Sequence, residues 1–473
     1  MNRVLIPFLI LILSAAVISA QSGRAPAPDA SGAAATPEKS VKALFDEVNA
    51  YIKTKAAEYA EKKIPYSDNL LEQTKKEQRA LAARHAASAE TRKDISTEDR
   101  YYIGMLQWLA TNLDGTVDNF TKYLAASDAD PARAQTSRSL VVVSLAKQKK
   151  PDPAEKFLAE YLGKEPTKLT ELARMQAELA KAYEAAKDFT RMAPHADAAF
   201  TAEKALLKDP QNSSRSLDEV VDTGMLVFEA YSGLGQKEKA EAALDDLRSL
   251  ATISGSPSMY FYAIDHKIKY MIETGRKGDA TDYYQATLAD VVKDFPDRSK
   301  QGDALQRLKD RQKSYALLAG PAVELPKDML WLSGQPKTID SLKGKVVLLD
   351  FWATWCGPCI ADLPELKDWH EQFGPKGLAI LGLTRYYGQS YGLPADKTVE
   401  LAYLKNFTEK HEMPYDIAVG DGQQAQLFYG AMLLPTSVLI DRKGNVRYIA
   451  TGTNSSRTAE IRSMIEKLIA EDR

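Results

Sequence analysis

Cys356 and Cys359 are the only cysteines in a chain of 473 residues, and they stand three positions apart. Two thiols at that spacing can close a disulfide and reopen it by exchange with a third thiol. A loop so small hardly constrains an unfolded chain of this length, so the bond is there for its chemistry. The pair follows an apolar run, Lys345-Val346-Val347-Leu348-Leu349, and opens a helical pattern from about Pro358 to Phe373. A cysteine at a helix start meets free backbone N–H groups and the positive end of the helix dipole, which favour thiolate over thiol. Cys356, the N-terminal and by expectation more exposed sulfur, is therefore the nucleophile, and Cys359 resolves the mixed disulfide by attacking it. Pro358 suits the first turn, where no N–H partner is needed. Other uses of a Cys pair fail on residue count. Structural zinc needs four ligands, but no third Cys exists and the five His residues are scattered. A c-type haem attachment needs His after the second Cys, where Ile360 stands. No metal or cofactor is expected.

Two further positions carry possible chemistry. Asp350 ends the apolar run six places before Cys356; poor solvation there would make its carboxyl resist ionising. The competing reading is an aspartate at the solvent end of the strand. Thr384-Arg385-Tyr386-Tyr387 follows a second buried strand pattern, Leu378-Ala379-Ile380-Leu381-Gly382-Leu383. Parallel strands deliver their C-terminal ends to one edge, which would put Tyr386 or Tyr387 beside the Cys pair as a substrate contact. A plain solvent-edge aromatic is the other reading.

The elements that must position these groups alternate. A helix is expected from Thr398 to His411. Ser437-Val438-Leu439-Ile440 and Val446-Arg447-Tyr448-Ile449 form a hairpin across Asp441-Arg442-Lys443-Gly444-Asn445. The last helix carries Ile461, Met464, Ile465, Leu468 and Ile469 on one face. From residue 318 to 473 the pattern is an α/β layered domain with a mixed sheet.

With these residues in hand, Asp350-Phe351-Trp352-Ala353-Thr354-Trp355-Cys356-Gly357-Pro358-Cys359 resembles the thioredoxin superfamily motif. Leu342-Lys343-Gly344-Lys345 before it and Asp362-Leu363-Pro364 after it are similar to the exported TlpA/ResA-type branch. The resemblance covers about a third of the chain. It implies a thioredoxin fold, exchange with protein thiols and disulfides, and an electron-donor protein that the sequence does not name. It also implies a cis-proline facing the disulfide, for which Leu434-Pro435 is placed, leaving Leu434 to pair with a substrate strand; a strand-edge proline is the alternative. Trp355, Gly357 and Pro358 would then border the substrate, and Pro364 would kink the helix. The acid matching Asp350 carries a proton for the buried sulfur in thioredoxins. Asp362 matches an acid that ResA-type proteins keep near the disulfide, or is an exposed first-turn helix acid. Gly-Pro between the cysteines and an acid at 350 resemble reducing members. A disulfide-introducing oxidase and a redox-sensing scaffold are the rival functions.

The rest of the chain has another character. Arg3, the apolar stretch from Val4 to Ile18 and the exit Ser19-Ala20-Gln21 read as a signal peptide over 1–20, or as an uncleaved anchor; either way the protein is exported, to the periplasm or another extracytoplasmic space. Residues 21–40, rich in Ala and Pro, read as a flexible linker. Residues 41–317 are rich in Ala, Lys, Glu and Leu, and Pro and Gly punctuate them at helix-hairpin intervals. Lys122-Tyr123-Leu124-Ala125 recurs as Lys156-Phe157-Leu158-Ala159, an offset that resembles tetratricopeptide (TPR) repeats; an irregular bundle is the alternative. Catalysis is not expected in this all-α part, and a concave face for a protein partner is. A net charge of −2, pI 6.3 and charged and apolar fractions of 27% and 44% give no electrostatic reason for nucleic acid or anionic lipid. Membrane contact is expected only if residues 1–20 stay attached.

Overall fold

The computed structural model describes residues 39–65, 67–208, 217–453 and 455–471. The expected signal segment and most of the linker lie outside them. Among the described residues no helix is long and apolar enough to cross a membrane. The chain divides into two compact units, the first ending at Ala110 and the second starting at Thr111.

Among the described residues three helices make the first unit: α1 (Val41–Glu61), α2 (Asp68–Glu90) and α3 (Thr97–Leu109). Ser40, Ser67 and Ser96 cap them by accepting backbone N–H bonds, and Ser96 with Asp99 completes a capping box. Ala82, Ala86 and Ala89, spaced for one helix face, meet Val41, Leu44, Val48, Ile103 and Leu106 in a single apolar core.

The second unit begins with ten helices: α4 (Leu113–Leu124), α5 (Pro131–Lys147), α6 (Pro151–Leu162), α7 (Leu169–Ala185), α8 (Phe189–Lys208), α9 (Leu217–Gly233), α10 (Lys237–Ser254), α11 (Pro257–Glu273), α12 (Lys277–Asp294) and α13 (Arg298–Leu317). Five of the turns between these helices close in the same way. Lys149, Lys187, Gly235, Gly255 and Gly275 take positive φ, and the next residue's N–H reaches back five places, as from Lys150 to Leu145 and Asp188 to Tyr183, both at 2.9 Å. The repeat is real in conformation but not in the register of the recurring tetrapeptide. Tyr123 is buried whereas Phe157, its counterpart at the 34-residue offset, is half-exposed. Tyr123 instead matches Tyr161: both are buried, and each hydroxyl donates to the carbonyl seven places on. Those tyrosines lie 38 residues apart, as do Lys149 and Lys187.

The chain then builds a six-stranded mixed sheet from β1 (Leu330–Ser333), β2 (Val346–Phe351), β3 (Leu378–Arg385), β6 (Asp416–Gly420), β7 (Thr436–Ile440) and β8 (Val446–Thr451), in the order β1-β6-β3-β2-β7-β8. β2, β3 and β6 run parallel, and the outer pairs are antiparallel. Helix α14 (Gly357–Phe373) links β2 to β3, and α15 (Lys397–Lys410) links β3 to β6. Both crossovers move in one direction, so the right-handed rule puts both helices on one face. Between β3 and α15 a small ribbon forms from β4 (Gln389–Ser390) and β5 (Leu393–Pro394); α16 (Gln424–Tyr429) and α17 (Ser455–Ala470) complete the fold. Every residue of central β2 is buried, as a strand covered on both faces requires. Ile461, Ile465 and Leu468 of α17 are buried, and Met464 and Ile469 pack beside them.

The expected division at 317/318 falls inside the second unit. Arg311 of α13 donates to the Ile449 carbonyl of β8 at 3.3 Å, and Ala319 and Val446 share a backbone bond of 2.7 Å.

Candidate active site

At the C-terminal end of β2 the chain turns into α14 through Cys356. This residue is the helix N-cap, and its sulfur accepts the Cys359 N–H at 3.2 Å. Cys356 and Cys359 are joined in a disulfide. The expectation that Cys356 is the more exposed does not hold in this oxidised state: each residue is only 5% exposed. Closing the ring presses both sulfurs against the apolar cluster under α14, so position at the helix start distinguishes them, and exposure does not. Gly357 and Pro358 form the first turn. Pro364 lies inside α14 and, lacking an N–H, gives the Ile360 carbonyl no intrahelical donor.

Asp350 is buried, 3% exposed, and not at a solvent end of the strand. In register it stands between Gly382 of β3 and Ser437 of β7. Glycine at 382 is a matter of space: a Cβ there would lie 3.2 Å from both Trp352 Nε1 and Tyr415 Cε2. Burial pushes the Asp350 carboxyl up to about 7, Arg457 pulls the other way, and Asp362 adds to the rise. Asp350 borders a cavity of about 10 Å³ shared with Asp362, Glu365, Ser437 and Arg457, room for one water at most. Asp362 is not an exposed first-turn acid. Its carboxylate pairs with Arg457 at 3.0 Å and accepts from the Thr453 hydroxyl. Arg457 also donates to Ser437 Oγ at 2.8 Å. The structure thus joins Asp350, Asp362 and the disulfide helix through α17.

Trp355 is half-exposed and meets the edge of Tyr387, centroids 5.2 Å apart. Arg385 lies over the Tyr387 ring at 4.0 Å. Gln426 receives a bond from Arg385 at 2.9 Å and donates to the Tyr387 hydroxyl at 3.2 Å. The Glu400 carboxylate accepts the N–H groups of Tyr387 and Gly388 at 2.7 and 2.9 Å. Tyr387 therefore makes the contact to the motif, while Tyr386 packs at the core margin under Lys397. The Leu434–Pro435 peptide is cis; Leu434 is half-buried against the cluster that contains both cysteines, and Met432 and Leu433 just before it are exposed.

Arg457, Ser437, Thr453 and Glu400 escaped the sequence reading as site residues, whereas Tyr387 was one of its two aromatic candidates. Only Arg457 left a signal: it stands four places before Ile461, a charge in line with the apolar stripe of the last helix. Among the described residues no group of three or more His, Cys, Asp or Glu could hold a metal ion.

Residues 319–449 match the AhpC/TSA family. Over 115 residues the chain is 34% identical to thiol-disulfide oxidoreductase ResA of Bacillus thuringiensis subsp. konkukian, covering 24% of this chain and 60% of that protein. Over 129 residues it is 29% identical to thioredoxin-like protein YneN of Bacillus subtilis, covering 27% and 69%. A crystal structure of a thiol:disulfide interchange protein from Chlorobium tepidum TLS, at 22% identity and TM-score 0.26, covers 32% of this chain and 96% of that one. The family match lies wholly in the C-terminal third.

Proposed function

From the thioredoxin-like domain in the C-terminal third, we propose that the chain is an extracytoplasmic oxidoreductase that reduces protein disulfides, with its helical hairpins recruiting a protein partner. The observation that carries this reading is the Cys356–Cys359 disulfide at the N-terminus of α14, with the buried Asp350 carboxyl on the strand behind it. The names of the relatives support it, being those of thiol-disulfide oxidoreductases and thioredoxin-like proteins.

In the reduced enzyme the Cys356 thiolate, favoured by the helix start, attacks one sulfur of a substrate disulfide. A mixed disulfide forms and the substrate's other sulfur leaves as thiolate. Cys359 then gives its proton to Asp350 and attacks Cys356 Sγ, which releases the second substrate sulfur and leaves the oxidised pair. Two electrons pass to the substrate, and a separate donor protein must return them. Trp355, Gly357, Pro358 and Leu434 border the reacting sulfurs, and Tyr387 replaces Tyr386 as the aromatic neighbour. The left-handed hairpin turns that recur through α5 to α12 support a TPR-like reading of the arm. Export rests on the apolar segment at 4–18.

Two measurements test the proposal. A Cys359→Ser variant should accumulate protein partners on Cys356; a reactive Cys356 that traps none would refute a protein substrate. The reduction potential should lie nearer the thioredoxin value of about −270 mV than the −120 mV of strong oxidants. A potential close to the latter would make the enzyme an oxidase.

A further inference from the structure

Within the second unit, away from the disulfide, lies a cleft of about 680 Å³, a size usual for ligand sites. α7, α9 and α11 form one wall, and β8 with α17 the other. Each of its lysines has a carboxylate beside it: Lys181 has Glu178 at 3.7 Å, shared with Lys147, Lys269 has Asp265 at 2.6 Å, shared with Arg311, and Lys467 has Glu273 at 3.4 Å. Among the described residues, no lysine or arginine pairs with the cleft's Glu184, Asp222 or Glu229. Glu184 and Glu229 both line the cleft. Burial, then Glu184 beside it, pushes Glu229 up to about 9, so at neutral pH Glu229 holds a proton that an entering cation would displace. Ring faces stand close by. Tyr262 lies against His266 at 4.3 Å, and Phe228 meets Tyr270 at 5.1 Å. A second cleft of about 570 Å³ shares Lys181 and Asp222 with the first and continues along α7 and α9 past Glu171 and Glu219.

We propose that this cleft binds a basic side chain, a lysine ammonium or arginine guanidinium, presented by an extended polypeptide. Glu184, Asp222 and Glu229 are its counter-charges and Tyr262 its ring wall. Glu184 and Asp222 attract a cation by charge and the aromatic faces by the ring quadrupole, and Glu229 joins them by releasing its proton to solvent. The adjoining acidic cleft continues the surface beyond what a small free amine fills, which assigns the cation to a chain. The inference rests on the proposed function only in taking the partner to be a protein. The two readings fail separately, because disulfide turnover reports on Cys356 and peptide binding reports on the cleft.

The experiment titrates the full-length protein with a blocked peptide of four alternating lysines and alanines, its Nε-acetyllysine counterpart, and spermidine. The lysine peptide should bind at least tenfold tighter than the acetylated one. Glu184→Gln with Glu229→Gln should weaken the lysine peptide at least tenfold and leave turnover of a small disulfide unchanged. Glutamine keeps the shape and carries no charge, so the fold should hold. As a second measurement, carbodiimide coupling of the peptide to the unmutated protein, mapped by mass spectrometry, should fall on Glu184, Asp222 or Glu229. Equal binding of both peptides, equal binding by the double variant, or coupling only elsewhere overturns the proposal. Spermidine binding tighter than the peptide overturns the assignment to a polypeptide.

Discussion

At the scale of single residues the controlling group is Asp350. An aspartate in an unfolded chain titrates near 4, and burial moves this one up to about 7. Between those values the folded protein holds a proton that the unfolded chain has lost. Stability therefore falls as pH rises from about 4 to about 7 and stays lower above. Asp350→Asn removes that loss, so the oxidised variant should be more stable than the parent at pH 8 by about 2–4 kcal/mol, converging with it near pH 4. Melting curves at the two pH values check this. The same substitution removes the proposed acceptor for the Cys359 proton, so turnover at pH 7 should drop at least tenfold; a pH profile unchanged from 6 to 9 would make the carboxyl merely structural. Arg457 is a positioning residue beside it, pulling Asp350 down while pairing with Asp362. Arg457→Gln should shift the acid limb of the turnover profile to higher pH. Arg457→Lys keeps the charge and loses the fork between Asp362 and Ser437, and should return the limb part of the way. A limb that does not move in either variant rules out the electrostatic role.

Elements set the precision of this site. The loop from Tyr386 to Asp396 is fastened to α15 by Tyr391 against Tyr403, centroids 4.2 Å apart, and by Glu400, which is 3% exposed and accepts two backbone N–H groups. Glu400→Gln turns an acceptor pair into one acceptor and one donor, which costs about 1–3 kcal/mol locally. Faster hydrogen exchange at Tyr387 and Gly388 is expected, with a higher KM for a protein substrate and an unchanged kcat for a small disulfide. Equal exchange rates would mean that the loop holds itself. In the sheet, Gly382→Ala forces a methyl against Trp352 and Tyr415 on the strand beside Asp350. A loss of about 1–3 kcal/mol in denaturant unfolding is expected, and a neutral result would show that the two rings can yield.

At the largest scale, the second unit carries hairpins and sheet together through a buried charge cluster. Asp265 of α11 pairs with Lys269 at 2.6 Å and Arg311 at 3.2 Å, and accepts the Tyr315 hydroxyl at 2.8 Å. Arg311 continues to the Ile449 carbonyl of β8. Burial alone would raise the Asp265 carboxyl, but the two cations outweigh it and hold it well below the usual range. A depressed folded value means stabilisation that is present above about pH 4, the unfolded value, and lost as pH falls below it. Asp265→Asn leaves Arg311 buried without a counter-charge, so unfolding at pH 7 should be easier by about 3–5 kcal/mol. The difference should shrink on acidification, and a pH-independent deficit would point to packing instead.

What this sequence determined by itself is what local patterns can encode. An apolar run buried on both faces, a Cys pair at a helix start, an amphipathic last helix and proline-punctuated hairpins each show within about 20 residues, because strand and helix periods and caps are short-range. Both cysteines at the helix start, the hairpin β7–β8 and the parallel pair β2–β3 were legible on that ground. The tertiary structure decided what depends on distant partners. β1 is a short strand paired with β6 more than 80 residues on, and short β6 is held between β1 and β3, so their patterns alone were too weak to read. Asp362 could be read as exposed or buried until Arg457, 95 positions later, was placed against it. The choice of Tyr387 over Tyr386 came from Trp355 and Arg385 meeting one ring. The helical repeat showed its 38-residue spacing only through buried tyrosines and turn conformations, since packing selects burial and leaves letters free to drift. Whether Asp350 ionises is likewise a question of solvation, which a strand acquires only when its neighbours close around it.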